Sequence, residues 1–84
     1  MHVIGIHVVA GAREKYPERA EALAAWFHAV RDARWNSFDD IRGFDKHVRF
    51  QGDMCRFQVE KGFRMRCRIH LNDNTVQLIE ASSA

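Results

Sequence analysis

The chain has 84 residues, enough for one small domain with one core and not for two. Its 46% hydrophobic and 29% charged content is that of a folded domain and excludes an intrinsically disordered one. No apolar run approaches the ~20 residues that cross a bilayer, and the N-terminus has no signal-peptide pattern, so the expected setting is the cytoplasm.

The formal net charge of +2 is unevenly spread. Residues 1–45 carry six basic and seven acidic groups, whereas residues 46–68 carry seven basic against two acidic; after them only Asp73 and Glu80 are charged. Ten of the thirteen basic residues are arginine, the side chain suited to bidentate phosphate contacts and to stacking on bases. A localised basic segment on a small domain points to a polyanion, most often nucleic acid.

In chain order, the apolar start from Met1 to about Ile6 predicts a short strand, and Val8 to Tyr16 a short helix weakened by Gly11. Pro17 suits the first turn of a second helix, which the pattern carries from Glu18 to Ala33. There Leu23, Trp26, Phe27 and Val30 form an i, i+3, i+4, i+7 stripe, read as core packing against a sheet. Ser37-Phe38-Asp39-Asp40 has the form of a capping box opening one further short helix, with Gly43 as its C′ residue.

From residue 47 the periodicity changes to that of strands: His47–Phe50, Met54–Val59, Phe63–Leu71 and Thr75–Ile79, an antiparallel meander. The turns are Gly52-Asp53, the three-residue Glu60-Lys61-Gly62, and Asp73-Asn74. Closed at these turns, the strands pair Val48 with Phe57, Phe50 with Cys55, Cys55 with Cys67, Phe57 with Met65, Ile69 with Leu78, and Leu71 with Val76. All three turns thus select the same inward face. Ser82 and Ser83 read as a frayed tail.

The outward face carries the chemistry. Residues 63–71 alternate strictly, so Arg64, Arg66, Arg68 and His70 share one side. The registers set Arg49 opposite Arg56 and Arg56 opposite Arg66, with Arg64 opposite Gln58 and His70 opposite Gln77. Like charges directly across strands are destabilising by some tenths of a kcal/mol each, so this row implies an anionic partner. The alternative is a solvated basic face neutralised by Glu60 or by acidic groups of the helices.

Other chemistry has little equipment. Cys55 and Cys67, facing each other in the core, are expected to be reduced thiols, and the five histidines show no zinc-ligand spacing with one another or with the cysteines. There is no glycine-rich phosphate loop, and no cofactor is expected. RNA cleavage needs least, because the substrate's own 2′-OH attacks; the protein orients the strand, stabilises charge on the phosphate and moves protons. His70, at the end of the arginine strand, is the best-placed imidazole for proton transfer.

Met1-His2-Val3-Ile4, Glu14-Lys15-Tyr16-Pro17, Ala25-Trp26 and Trp35, followed by Gly52, Lys61-Gly62 and Arg66, resemble the HigB toxins of bacterial toxin–antitoxin systems, nearly ungapped from residue 1 to about 72. The resemblance implies an α+β, RelE/ParE-like fold filling residues 1–84 as a single domain. In it an N-terminal strand and two helices pack on an antiparallel sheet of about four strands. It also implies a ribosome-dependent mRNA endonuclease whose partners are mRNA, the ribosome and a cognate helix-turn-helix antitoxin, with no membrane and no small-molecule cofactor. Arg66 matches the family's arginine on this strand, and Lys61 and Arg64 match neighbouring positions that are often polar or basic. The expected site is therefore Arg66, Arg56 and His70 for catalysis, with Arg49, Lys61, Arg64 and Arg68 on the RNA. The chain departs from the family at Cys55, where an arginine is usual, at Met65, where an aromatic is usual, and after Glu80, where a Thr-His-x-Glu-Tyr-Asp segment is expected. Those departures leave two further readings open: a catalytically reduced relative that binds RNA or inhibits a protein complex, in a phage-encoded role for instance, and a structural subunit associating through Trp26 and the helical face.

Overall fold

A computed structural model describes residues 1–83; Ala84, the last residue of the expected domain, lies outside the described residues. Its order is β1 (His2–Ile4), α1 (Ile6–Lys15), a 3-10 turn (Pro17–Arg19), α2 (Ala20–Asp32), α3 (Phe38–Phe44), β2 (Arg49–Gln51), β3 (Met54–Glu60), β4 (Phe63–His70) and β5 (Thr75–Ser83). The fold is α+β, with three α-helices on one face of a five-stranded mixed sheet in the order β1-β5-β4-β3-β2.

The expected count of about four antiparallel strands is corrected by β1, which joins the sheet beside β5 and parallel to it, pairing Val3 with Val76. Gly5 makes this possible. Its φ of 94° turns the chain directly from β1 into α1, with Gly5 lying against the Leu78 carbonyl, so Ile6 belongs to the helix and not to the strand. The second helix begins as the Pro17–Arg19 3-10 turn, and α3 has the expected Ser37 cap, its side-chain oxygen accepting from the Asp40 N–H at 3.3 Å. Gly43 is inside α3 rather than beyond it, and Asp45 ends the helix in an extended conformation.

The two inner hairpins keep the expected pairs Phe50–Cys55, Arg49–Arg56, Cys55–Cys67, Phe57–Met65, Arg56–Arg66 and Gln58–Arg64. Val48 is buried but precedes the three-residue β2, so it does not pair with Phe57. The Lys61-Gly62 turn is closed by Glu60 and Phe63, because a bulge between Gln58 and Glu60 adds a residue to β3. Residues Leu71–Asp73 form a 3-10 turn followed by left-handed Asn74, φ 54°. This longer connection moves β5 by two positions, so Ile69 pairs with Val76, Cys67 with Leu78 and His70 with Thr75, in place of Leu71–Val76, Ile69–Leu78 and His70–Gln77. A shift of two preserves the inward face, which is why the hydrophobic pattern did not reveal it. Ser82 and Ser83 pair with Arg64 and Phe63, so the expected frayed tail is strand.

The core joins Val9 and Ala12 of α1, Leu23, Trp26 and Val30 of α2, and Ile41 of α3 to Phe57, Phe63, Met65, Cys67, Val76 and Leu78 of the sheet. Phe57 sits at its centre, meeting Trp26 edge-on at 5.5 Å and Trp35 stacked at 5.7 Å between centroids. Trp26 and, half-buried, Phe27 are core packing, as the helical stripe predicts. Among the described residues no helix covers the opposite face of the sheet, and that face carries the arginines.

Candidate nucleic-acid interface

The hydrogen-bond phase of the ladder fixes how close the arginines stand. Ile69 N–H donates to the Asp53 carbonyl at 2.9 Å, so odd-numbered positions of β3 exchange hydrogen bonds with β4, and Arg56–Arg66 is a non-hydrogen-bonded pair. Such pairs bring Cα atoms to ~4.5 Å and side chains closer than the alternate pairs do. On the other side of β3, Arg49 opposes Arg56. The row continues past Arg66 to Glu80 of β5.

These side chains wall an open depression of about 290 Å³, lined by Arg49, Phe50, Gln51, Met54, Cys55, Arg56 and Arg66. Not all its cations are free. Arg66 Nη2 lies 3.0 Å from Glu80 Oε2, and Arg68 Nε 3.3 Å from Asp53 Oδ2. Among the described residues Arg49, Arg56 and Arg64 have no acidic partner. The face therefore keeps three uncompensated guanidinium groups, two of them in the depression. Glu60, which the alternative reading offers as a neutralising group, does not reach this face: its carboxylate accepts from Arg19 Nη1 at 2.7 Å, beside Phe63 on the helix side.

The remaining expected residues are dispersed around this row. Arg64 is half-buried one step along β4, level with Gln58 and Ser82. Lys61 is exposed in the β3–β4 turn at one end of the sheet, its carbonyl accepting from Arg19. His70 is exposed at the other end of β4, four residues and so ~13 Å from Arg66 along the strand. It lines a separate depression with Phe38, Leu71, Asn72 and Asp73. Arg56 and Arg66 thus come together with Arg49, while His70 does not join them.

Two participants were missed from sequence. Glu80 joins the row only through the two-position shift of β5 and its bulge, for which the signal in the sequence is the break in apolar alternation from Val76 and Leu78 to Ala81. Asp53 carries only a turn signal in the sequence, yet its carboxylate lies 3.3 Å from Arg68 Nε on the neighbouring strand.

Neither cysteine serves as a nucleophile. Burial, and secondarily the charge of Asp45, push the Cys55 thiol up to about 12, and burial followed by the neighbouring Cys55 raises Cys67 still further. Both are free and buried. No cluster of His, Cys, Asp and Glu suited to a metal exists among the described residues. No helix in them is long and apolar enough to cross a membrane. Chemically, the face is equipped to bind anions on a rigid support. No family model matches the chain, and no curated protein matches it significantly.

Proposed function

We propose that this chain is a RelE-like protein of the HigB type whose arginine face binds mRNA on the ribosome. The observation that carries the reading is the Arg49–Arg56–Arg66 row around one depression, with Arg49 and Arg56 having no acidic partner among the described residues. Such a row repels itself and gains by neutralisation with phosphates, which release counterions on binding. The order of elements, an N-terminal strand and helices before an antiparallel meander, is compatible with the architecture that the resemblance implies. In the toxin reading Arg56 and Arg66 hold the scissile phosphate and stabilise its developing charge, Arg49, Arg64, Arg68 and Lys61 hold the flanking strand, and His70 moves a proton. The cytoplasm is the compartment for that work, and a helix-turn-helix antitoxin is the neutralising partner.

A second reading, an RNA-binding RelE-like module that no longer cuts, is favoured by the position of His70, ~13 Å along β4 from Arg66. One experiment separates the two. Expression of the wild type in a bacterial host is expected to arrest growth with mRNA cleaved in translated regions, and Arg49→Ala/Arg56→Ala to relieve both effects. Harmless expression together with salt-sensitive RNA binding selects the second reading. Harmless expression without RNA binding refutes both.

A further inference from the structure

We propose that Glu80 makes the arginine row prefer strands built on ribose to strands built on deoxyribose; the proposal rests on the RNA-binding reading above. Arg49, Arg56, Arg66 and Glu80 stand side by side on four neighbouring strands, ~4.8 Å apart from one strand to the next. The first two are cations without an acidic partner and take phosphate. The third is already matched, its Nη2 3.0 Å from Glu80 Oε2.

That match changes what the end of the row recognises. Arg66 can share the phosphate held by Arg56 on its Arg56 side, but a second phosphate placed on its Glu80 side meets the Glu80 carboxylate as a competitor and a like charge. The pair as a unit is neutral, offers the guanidinium N–H groups that Glu80 leaves free, and offers carboxylate oxygens as acceptors. Its complement is a neutral group that both donates and accepts, which is a hydroxyl. The ribose 2′-OH is such a group and lies within one nucleotide of the phosphate held by Arg56. It donates to the carboxylate and accepts from Arg66, whereas deoxyribose presents only C–H there.

The other arginine–carboxylate pair of this face, Arg68–Asp53, stands outside the lining of the depression, so Arg66–Glu80 is the pair that meets a strand held by Arg49 and Arg56. Arginines alone see the same phosphates in both polymers. Stacking on aromatic rings is not on offer in the row, because Phe50, Phe57 and Phe63 pack on the core side of the sheet, and stacking of bases on guanidinium groups is the same for both polymers. Glu80 is exposed, so replacing it leaves the core intact.

The test is fluorescence anisotropy of the full chain with labelled single-stranded oligonucleotides of one sequence in three chemistries: RNA, 2′-O-methyl RNA and DNA. Wild type is expected to bind RNA about five- to tenfold tighter than the other two, the gain of one exposed charge-assisted hydrogen bond. Glu80→Ala is expected to bind DNA and 2′-O-methyl RNA more tightly than wild type does, shrinking the preference below about twofold. A wild type that does not discriminate, or a Glu80→Ala variant that keeps the full preference, overturns the proposal. Arg49→Ala/Arg56→Ala supplies the separate control on the phosphate face: it is expected to weaken all three ligands alike. If it binds all three as wild type does, or if wild type binds none, the RNA-binding reading fails and this proposal falls with it.

Discussion

Replacing Gly5 by alanine tests the joint on which the five-stranded sheet depends. Gly5 has φ 94°, and a Cβ built there would lie 2.9 Å from the Leu78 carbonyl oxygen, backbone of a paired strand that cannot swing aside. The left-handed conformation costs an L-residue ~1–2 kcal/mol, and forcing a methyl into a closed contact adds ~1–3 kcal/mol. A loss of about 3 kcal/mol is expected, and at ~4–8 °C per kcal/mol for a domain of this size Tm should fall by at least ~12 °C. Gly11→Ala provides the control of opposite sign. Gly11 is inside α1, with ordinary φ and nothing within 4 Å of an added Cβ, so the same change should stabilise by ~0.5–1 kcal/mol. Thermal unfolding followed by circular dichroism reads both. A Gly5→Ala variant within ~4 °C of wild type, or two variants moving Tm in the same direction, would refute the described path of β1 into α1.

Other consequences are equally direct. Neither thiol should react with an aromatic disulfide reagent in the native protein, and both should react after denaturation, because each is buried and held protonated. Since folding raises the Cys55 thiol to about 12 from an ordinary 9.0, its contribution to stability is complete below pH ~9 and declines as pH rises toward 12. Chemical denaturation across that range should show a shallower alkaline decline in Cys55→Ala than in wild type. Phe57→Ala should cost ~3–5 kcal/mol, measured by urea unfolding, since the ring is fully buried between Trp26 and Trp35. Asp45→Ala should cost ~1–3 kcal/mol and promote concentration-dependent association in analytical ultracentrifugation. Its carboxylate accepts from Gln58 N–H at 2.8 Å and so covers the stretch of β3 that the short β2 leaves unpaired.

What was legible in the sequence was what alternation and turn chemistry determine. Arg49–Arg56 and Arg56–Arg66 follow from Gly52 and Gly62, both at positive φ, and from a two-residue period that either hairpin would lose if it slipped by one. The Ser37 cap is a local signal and was equally readable. The β5 register was not, because a slip of two leaves every apolar residue on its proper face and only the backbone of Leu71–Asn74 decides between the alternatives. The role of β1 was hidden for a different reason. Three residues carry little pattern, and their place is set by a parallel contact with residues more than seventy positions away.

Both irregularities of the sheet redirect an acidic residue, and this decides the charge balance of its two faces. With unbroken alternation from Cys55 and Phe57, Glu60 would point outward, toward the arginines; the bulge in β3 pairs it with Phe63 and brings it to Arg19 on the helix side. With unbroken alternation from Val76 and Leu78, Glu80 would point into the core; the extra residue Ile79 sets it opposite Arg66 instead. One bulge therefore removes a carboxylate from the arginine face and the other supplies one at a single chosen position, a known use of bulges. Deleting Ile79 takes out the extra residue, so Glu80 follows Leu78 directly and keeps its place opposite Arg66 in a ladder without the bulge. The deletion variant should therefore keep the wild-type preference for RNA over DNA in the anisotropy assay, and adding Glu80→Ala should abolish it there as in the full-length chain. If the deletion alone loses the preference, Ile79 is not the residue that the bulge adds, and the β5 register is not what aims Glu80 at Arg66.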